Sequence, residues 1–214
     1  VMLSENRITL FETTGFPNPA RIRAAIAEKS ALSDVDFVEI DVMNLEHRTD
    51  QFYAMNPMGT VPVLRTAEGE FISESTAITE YIDAFFAGPS LTGTTPLERG
   101  LIHMMQRRAE SMVLDAVATY FHHATQGLGP LIEKYQCSEW GNHQKQTALS
   151  GLSYFNEHLN EHSFVAADTF SMADITLFYG LAFAEFSGLN LPAELTSLIA
   201  WREEMAKRPC FSNQ

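Results

Sequence analysis

The stretch Asn56-Pro57-Met58-Gly59-Thr60-Val61-Pro62-Val63-Leu64, followed ten residues later by Glu74-Ser75-Thr76-Ala77-Ile78, constrains this chain more than any other part of it. Pro62 stands just before the apolar pair Val63 and Leu64, where it removes a donor from a strand ladder. A proline there marks a strand start with a fixed X-Pro bond, so a cis Val61–Pro62 bond is expected, with the main chain of Val61 turned outward. Glu74 and Ser75 open a segment with apolar residues at helical spacing (Ile78, Tyr81, Ile82, Phe85). At a helix mouth the first main-chain N–H groups lack partners and attract carboxylates. An outward main-chain edge beside an anion cradle suits a peptide-like ligand.

The chain divides near residues 87–96. Before that point strand and helix signals alternate. Ile8-Thr9-Leu10-Phe11 is β-rich and runs into a Gly/Pro/Asn loop from Gly15 to Pro19. Ile22, Ala25 and Ile26 then recur at helical spacing as far as Glu28-Lys29. Val35 to Ile40 alternates and predicts a second strand, and Glu46 to Met55 is polar and weakly helical. Val63-Leu64 and Phe71-Ile72 flank Ala67-Glu68-Gly69, a hairpin with Gly69 placed for positive φ. A helix over Ser75 to Phe86 closes this half. The order βαβ, hairpin, helix predicts a mixed four-stranded sheet with helices on its faces, and a right-handed crossover makes the first two strands parallel.

Residues 88–96 are rich in Gly, Pro, Ser and Thr and predict a linker. Beyond it the pattern is helical: Leu97 to Tyr120, Trp140 to Leu159, Ala173 to Phe186 and Leu195 to Lys207. One helix start is sharply specified. Ser171 is placed as N-cap with Asp174 three residues on, and Phe170 and Ile175 stand at the positions of a hydrophobic staple. The fold class expected is therefore α/β plus all-α, with residues 7–87 forming the first domain, 88–96 the linker and 97–214 the helical domain.

Composition narrows the function classes. The 214 residues are 45% hydrophobic and 19% charged, as in a soluble globular protein. No apolar run reaches membrane-spanning length, and Val1 to Arg7 shows no hydrophobic signal region, so neither a membrane partner nor a leader is expected. A net charge of −13 argues against nucleic acid. Cys137 and Cys210 fit no metal or dithiol spacing, and two cysteines without a leader point to a reducing, cytoplasmic location. No metal site is expected.

Taken together, Thr60-Val61-Pro62-Val63-Leu64, the Glu74-Ser75 pair and the Ser171 to Asp174 cap, in that order, resemble a cytosolic glutathione transferase over nearly the whole chain, from about Ile8 to Pro209. The resemblance implies a thioredoxin-like first domain and glutathione as cosubstrate. It implies a helical second domain that forms the electrophile pocket, and a homodimer. Carried over residue by residue, it implies that Val61 pairs its main chain with the cysteinyl unit of glutathione. Glu74 would then meet the γ-glutamyl ammonium and Ser75 its carboxylate. His47 and Arg48 would meet the glycyl carboxylate, and Thr60 would complete that pocket.

The first loop departs from the family. Most members place a Tyr, Ser or Cys after the first strand, against the glutathione sulfur; alignment on Arg21-Ile22-Arg23 and Glu28-Lys29 brings Phe16 close to the usual serine position. No cysteine occurs before residue 137. Three activators stay open: the N-terminus of the helix beginning near Pro19, a hydroxyl from Thr13 or Thr14, and a group from the helical domain such as His123 in Tyr120-Phe121-His122-His123. The function expected is conjugation of the glutathione thiolate to hydrophobic electrophiles. The alternatives are a glutathione-dependent peroxidase or disulfide reductase, and a non-catalytic ligand-binding or interaction protein.

Overall fold

A computed structural model describes residues 7–212. The expected end of the helical part at 214, and all of the leader reading except Arg7, lie outside them. The chain forms two compact units that part between Pro89 and Ser90.

The first unit is built on a four-stranded sheet. Strand β1 (Ile8–Glu12) is followed by helix α1 (Pro17–Glu28) and strand β2 (Val35–Glu39), then by a 3₁₀ turn (Glu46–Arg48) and the short helix α2 (Asp50–Met55). Strands β3 (Val63–Arg65) and β4 (Phe71–Ser73) and helix α3 (Ser75–Phe85) complete it. The strand order is β2-β1-β3-β4. As expected, β1 and β2 are parallel, and β3 runs antiparallel to both β1 and β4. Gly69 turns the hairpin with φ 94°. β1 is central and buried at all five positions, which is why it reads as a continuous apolar run. α1 is locked to α3 by the buried Lys29–Asp83 ion pair at 2.6 Å. Burial raises the Glu12 carboxyl, and bonds from the Arg23 guanidinium oppose that rise; the pair fastens α1 to the end of β1.

The second unit is helical: α4 (Pro96–Ala109), a π turn (Glu110–Leu114), α5 (Asp115–Ala124), α6 (Ser138–Glu161), α7 (Met172–Phe186), α8 (Thr196–Met205) and α9 (Pro209–Ser212). The helix expected over Leu97 to Tyr120 is thus longer and is interrupted by a π turn. Ile102, Met105, Ala109 and Val113 are buried, as their spacing predicts. Periodicity alone does not reveal one extra residue per turn. Gly151 of α6 faces this turn: a Cβ there would lie 2.4 Å from the Met112 carbonyl oxygen. Gly151→Ala is expected to destabilise the helical unit by about 1–3 kcal/mol, because backbone cannot move aside as a side chain can. A denaturation midpoint equal to that of the parent would contradict this close approach.

The linker differs from its sequence reading. Leu91 and Thr92 are buried, and the Leu91 carbonyl accepts a bond from the Met172 N–H at 2.9 Å. The breaker residues act as caps. Thr95 and Glu98 form a reciprocal capping box, and Pro96 occupies the first helical position. Among the described residues, those up to Pro89 fall in the first unit, and from Ser90 onward the segment belongs to the helical one.

Candidate functional site

Three elements of the first unit end at one corner. β1 runs out at Glu12, β3 begins at Val63, and α3 begins at Ser75 directly after β4. The pairing of Phe11 with Val63 and of Val63 with Ser73 brings these ends together. The Val61–Pro62 bond is cis, as expected. Val61 lies ahead of β3 and outside the ladder, so its main chain is not consumed by the sheet.

Glu74 has φ 71° and ψ 118°, a conformation non-glycine residues rarely adopt. Such geometry costs about 1–3 kcal/mol and clusters at ligand sites. Its carbonyl accepts the Ile78 N–H at 2.9 Å, the first bond of α3, while its side chain is exposed. Among the described residues no protein group bonds the Glu74 carboxylate or the Ser75 hydroxyl. Ser75 is buried as a residue (9% exposed), and its carbonyl accepts from Thr79 Oγ1 at 2.8 Å. The corner therefore offers, at the mouth of a helix, a carboxylate and a hydroxyl that no protein group bonds among the described residues.

The residues expected at the other end of the ligand divide. Arg48 is exposed, with Nη1 only loosely held at 3.5 Å from Tyr53 Oη and from the Met58 carbonyl, so its charge can meet a carboxylate. His47 is buried (4% exposed), and its Nδ1 has no partner among the described residues. Burial, then the neighbouring Arg48 charge, lowers its pKa, which keeps the ring neutral near pH 7. Thr60 Oγ1 accepts a bond from Asn56 Nδ2 at 3.0 Å.

Asn56 has a part that the sequence reading above does not assign. It is fully buried and holds the 56–60 turn from both ends of its amide. Nδ2 donates to the Thr60 carbonyl at 2.8 Å, and Oδ1 accepts from the Met58 N–H at 3.1 Å. The signal was present: Asn followed by Pro and, three residues on, Gly is an Asx-turn pattern. Gly59 stands at φ 60°, where a side chain is strained, and a Cβ there would lie 2.8 Å from the Tyr53 ring and 3.1 Å from the His47 carbonyl oxygen.

In the first loop the expected thiol activators already have partners in the protein. Thr13 is buried and its hydroxyl donates to the Ile40 carbonyl at 2.7 Å. The Thr14 hydroxyl donates to the Glu39 carboxylate at 2.7 Å, and its N–H donates to the same group at 3.0 Å. A hydroxyl has one proton, and in this arrangement each threonine gives it to the protein. The helix mouth is also poorer than expected. Pro17 and Pro19 carry no N–H, and the Ala20 N–H is already bonded to the Phe16 carbonyl at 3.0 Å. Phe16 is half-buried and supplies no hydroxyl.

In the helical unit the two adjacent histidines have separate partners. His122 Nδ1 lies 2.7 Å from Glu133 Oε1. His123 Nδ1 accepts the Cys137 N–H at 3.0 Å, which leaves the proton of the neutral ring on Nε2 as a donor. This unit also holds a pocket of about 370 Å³ between α4, α6 and residues 162–168, with Leu101, Met104, Met105 and Val165 beside Arg108 and His158. Among the described residues no group of three His, Cys, Asp or Glu side chains is placed to hold a metal ion. No helix of the described residues is long and apolar enough to cross a membrane.

Comparison with known proteins gives matches over both units. Residues 6–84 match the family "Glutathione S-transferase, N-terminal domain" and residues 118–209 match "Glutathione S-transferase, C-terminal domain". The chain is 51% identical over 205 residues to "Glutathione S-transferase 2" of Saccharomyces cerevisiae, covering 96% of this chain and 88% of that one. Among solved structures, a glutathione S-transferase domain-containing protein from Marinobacter aquaeolei superposes with a TM-score of 0.94 at 53% identity, over 95% of this chain and 99% of that one. The structure of Gtt2 from Saccharomyces cerevisiae gives 0.93 at 51%, over 95% and 98%. The two matched domain families and a relative 51% identical over nearly the whole chain lead to one conclusion: this chain belongs to the glutathione S-transferase family, enzymes that use glutathione as cosubstrate.

Proposed function

We propose that the protein conjugates the glutathione thiolate to hydrophobic electrophiles. The observation that carries this reading is the unspent corner of the first unit, where Val61's main chain, the strained Glu74 and the Ser75 hydroxyl lie together. In this reading Val61 pairs with the cysteinyl main chain, Glu74 holds the γ-glutamyl ammonium and Ser75 its carboxylate. Arg48 meets the glycyl carboxylate, with His47 and Thr60 shaping that end of the pocket. These contacts fix the peptide, so the bound thiol spends its time in one place rather than diffusing, which is where much of the rate advantage originates.

The chemical demand at sulfur is small. A free thiol has a pKa of about 8.5 and is mostly protonated at neutral pH. Donors aimed at sulfur shift it toward thiolate, the attacking form. His123, with its Nε2–H free to donate, is one candidate from the helical unit. The helical unit is proposed to supply the electrophile pocket. The protein is further proposed to work in the cytoplasm as a homodimer, the form typical of the family.

The test is turnover of an activated aryl chloride at saturating glutathione, run beside reduction of an organic hydroperoxide and of a mixed disulfide. Conjugation faster than both reductions is the expected result. Reduction without conjugation would replace this reading with the peroxidase or reductase one. Glutathione binding without any of the three reactions would replace it with a ligand-binding role.

A further inference from the structure

The side chains of the loop between β1 and α1 have few hydrogens left to donate, and they gather on one residue. In the β1–β3 register Phe11 faces Val63. Continued for two residues, that register brings Val61 level with Thr13. From there the chain turns through Gly15, at φ 84°, into α1. A peptide whose cysteinyl main chain pairs with Val61 therefore places its thiol beside residues 13–18. Among the side chains of this segment, the Thr13 and Thr14 hydroxyls are committed to the Ile40 carbonyl and to Glu39. Gly15, Phe16 and Pro17 have no polar side chain. Along the main chain, the Phe16 N–H is bonded to the Thr13 carbonyl at 3.2 Å, and Pro17 has none.

Asn18 is different. Its Oδ1 accepts from Arg21 Nη1 at 2.9 Å, and Arg21 is buried (4% exposed). A guanidinium can only donate, so this bond settles which end of the amide is oxygen. Nδ2, with two hydrogens, has no partner among the described residues, and neither has the Asn18 main-chain N–H. Asn18 itself is half-buried at the start of α1, so its amide is both held and accessible.

We propose that Asn18 is a catalytic residue for this reaction, its Nδ2–H donating to the glutathione sulfur and stabilising the thiolate, with Arg21 as the positioning residue that holds the amide. This rests on the reading that glutathione pairs with Val61. In the ionisation step the S–H bond breaks and its proton passes to water, leaving the electron pair on sulfur. In the step that follows, the pair forms the C–S bond to an aryl chloride carbon and chloride leaves with its own bonding pair. Asn18 gives up no proton in either step; it stabilises the charge that forms on sulfur.

Asp and Asn separate a donor from a structural role. Asn18→Asp keeps an oxygen for Arg21 and puts a carboxylate in the first turn of a helix, where it is favoured. A merely structural Asn18 would therefore tolerate the change. A donor would not, because a carboxylate facing a thiolate repels it. The experiment follows the ultraviolet absorbance of bound glutathione thiolate against pH in the parent, Asn18→Ala and Asn18→Asp. S-methylglutathione affinity is measured alongside by calorimetry. In the parent the thiol is expected to titrate below the free value of about 8.5. In Asn18→Ala it should move back toward that value, and neutral-pH turnover should fall about tenfold or more. Asn18→Asp should be worse than Asn18→Ala, and S-methylglutathione should bind all three alike. Titration in either variant that matches the parent would overturn the proposal. So would a loss of S-methylglutathione affinity that parallels the titration, since that would place Asn18 on the peptide instead of the sulfur. A parent that binds neither glutathione nor its S-methyl form would overturn this proposal and the reading beneath it together.

Discussion

Asp174→Ala is expected to lower the unfolding midpoint of the helical unit by about 10 °C. Asp174 is fully buried at the third position of α7 and accepts three bonds. The Val165 N–H donates at 2.8 Å, the Ser171 N–H at 2.9 Å and the Ser171 hydroxyl at 3.1 Å. Alanine would leave three buried donors without an acceptor, each costing about 1–3 kcal/mol. Local relaxation recovers part of this, so a net loss of about 4 kcal/mol is expected. In a chain of this size each kcal/mol moves the midpoint by about 2–4 °C. A calorimetric midpoint within about 2 °C of the parent would show that the cap is dispensable.

The same residue gives a pH signature. Burial pushes the Asp174 carboxyl up to about 7 from its ordinary 3.8, against the pull of its three hydrogen bonds toward the ionised form. A carboxyl whose pKa is higher folded than unfolded binds its proton more tightly in the native state. Folding then takes up a proton between about pH 4 and about pH 7, so stability falls as pH rises through that window and levels off above it. Asp174→Asn, which cannot ionise, should lack this slope. Urea denaturation of both proteins across the window reads it directly, and parallel curves would rule the titration out.

Ser75→Ala is expected to weaken glutathione binding about 10- to 100-fold. A hydrogen bond to a charged group is worth about 1.5–3 kcal/mol, and in the proposed site the Ser75 hydroxyl gives one to the γ-glutamyl carboxylate. The same substitution should leave stability nearly untouched, because among the described residues the hydroxyl makes no bond within the protein. The pairing of a large binding loss with an unchanged unfolding midpoint is what distinguishes a ligand contact from a structural one. Calorimetry that finds the parent's affinity in Ser75→Ala would remove this residue from the site.

Where a residue's role follows from near neighbours in the chain, sequence was sufficient. The alternation of Val35 to Ile40, the hairpin turn at Gly69, the helix opened by Ser75 and the Ser171–Asp174 cap all depend on contacts within a few residues, and each stands where the pattern places it. The cis bond at Pro62 belongs to the same class, because a proline at a strand start leaves few alternatives.

Long-range contacts decided the rest. Nothing near Thr13 or Thr14 in the sequence says that Ile40 and Glu39 would take their protons, since those partners lie more than twenty residues away on a neighbouring strand. The linker composition around Gly93 and Pro96 is that of a loose connection. Burial of Leu91, with a bond from Met172, makes it part of the helical unit. The π turn at Glu110–Leu114 has no local signature, and its packing partner, Gly151, is distant in sequence. Sequence by itself determined the family, the corner proposed to hold glutathione and the helix starts, because local geometry and residue chemistry carry them. Tertiary structure alone decided which polar hydrogens are already spent, because a proton is allotted by whichever acceptor the fold brings within reach.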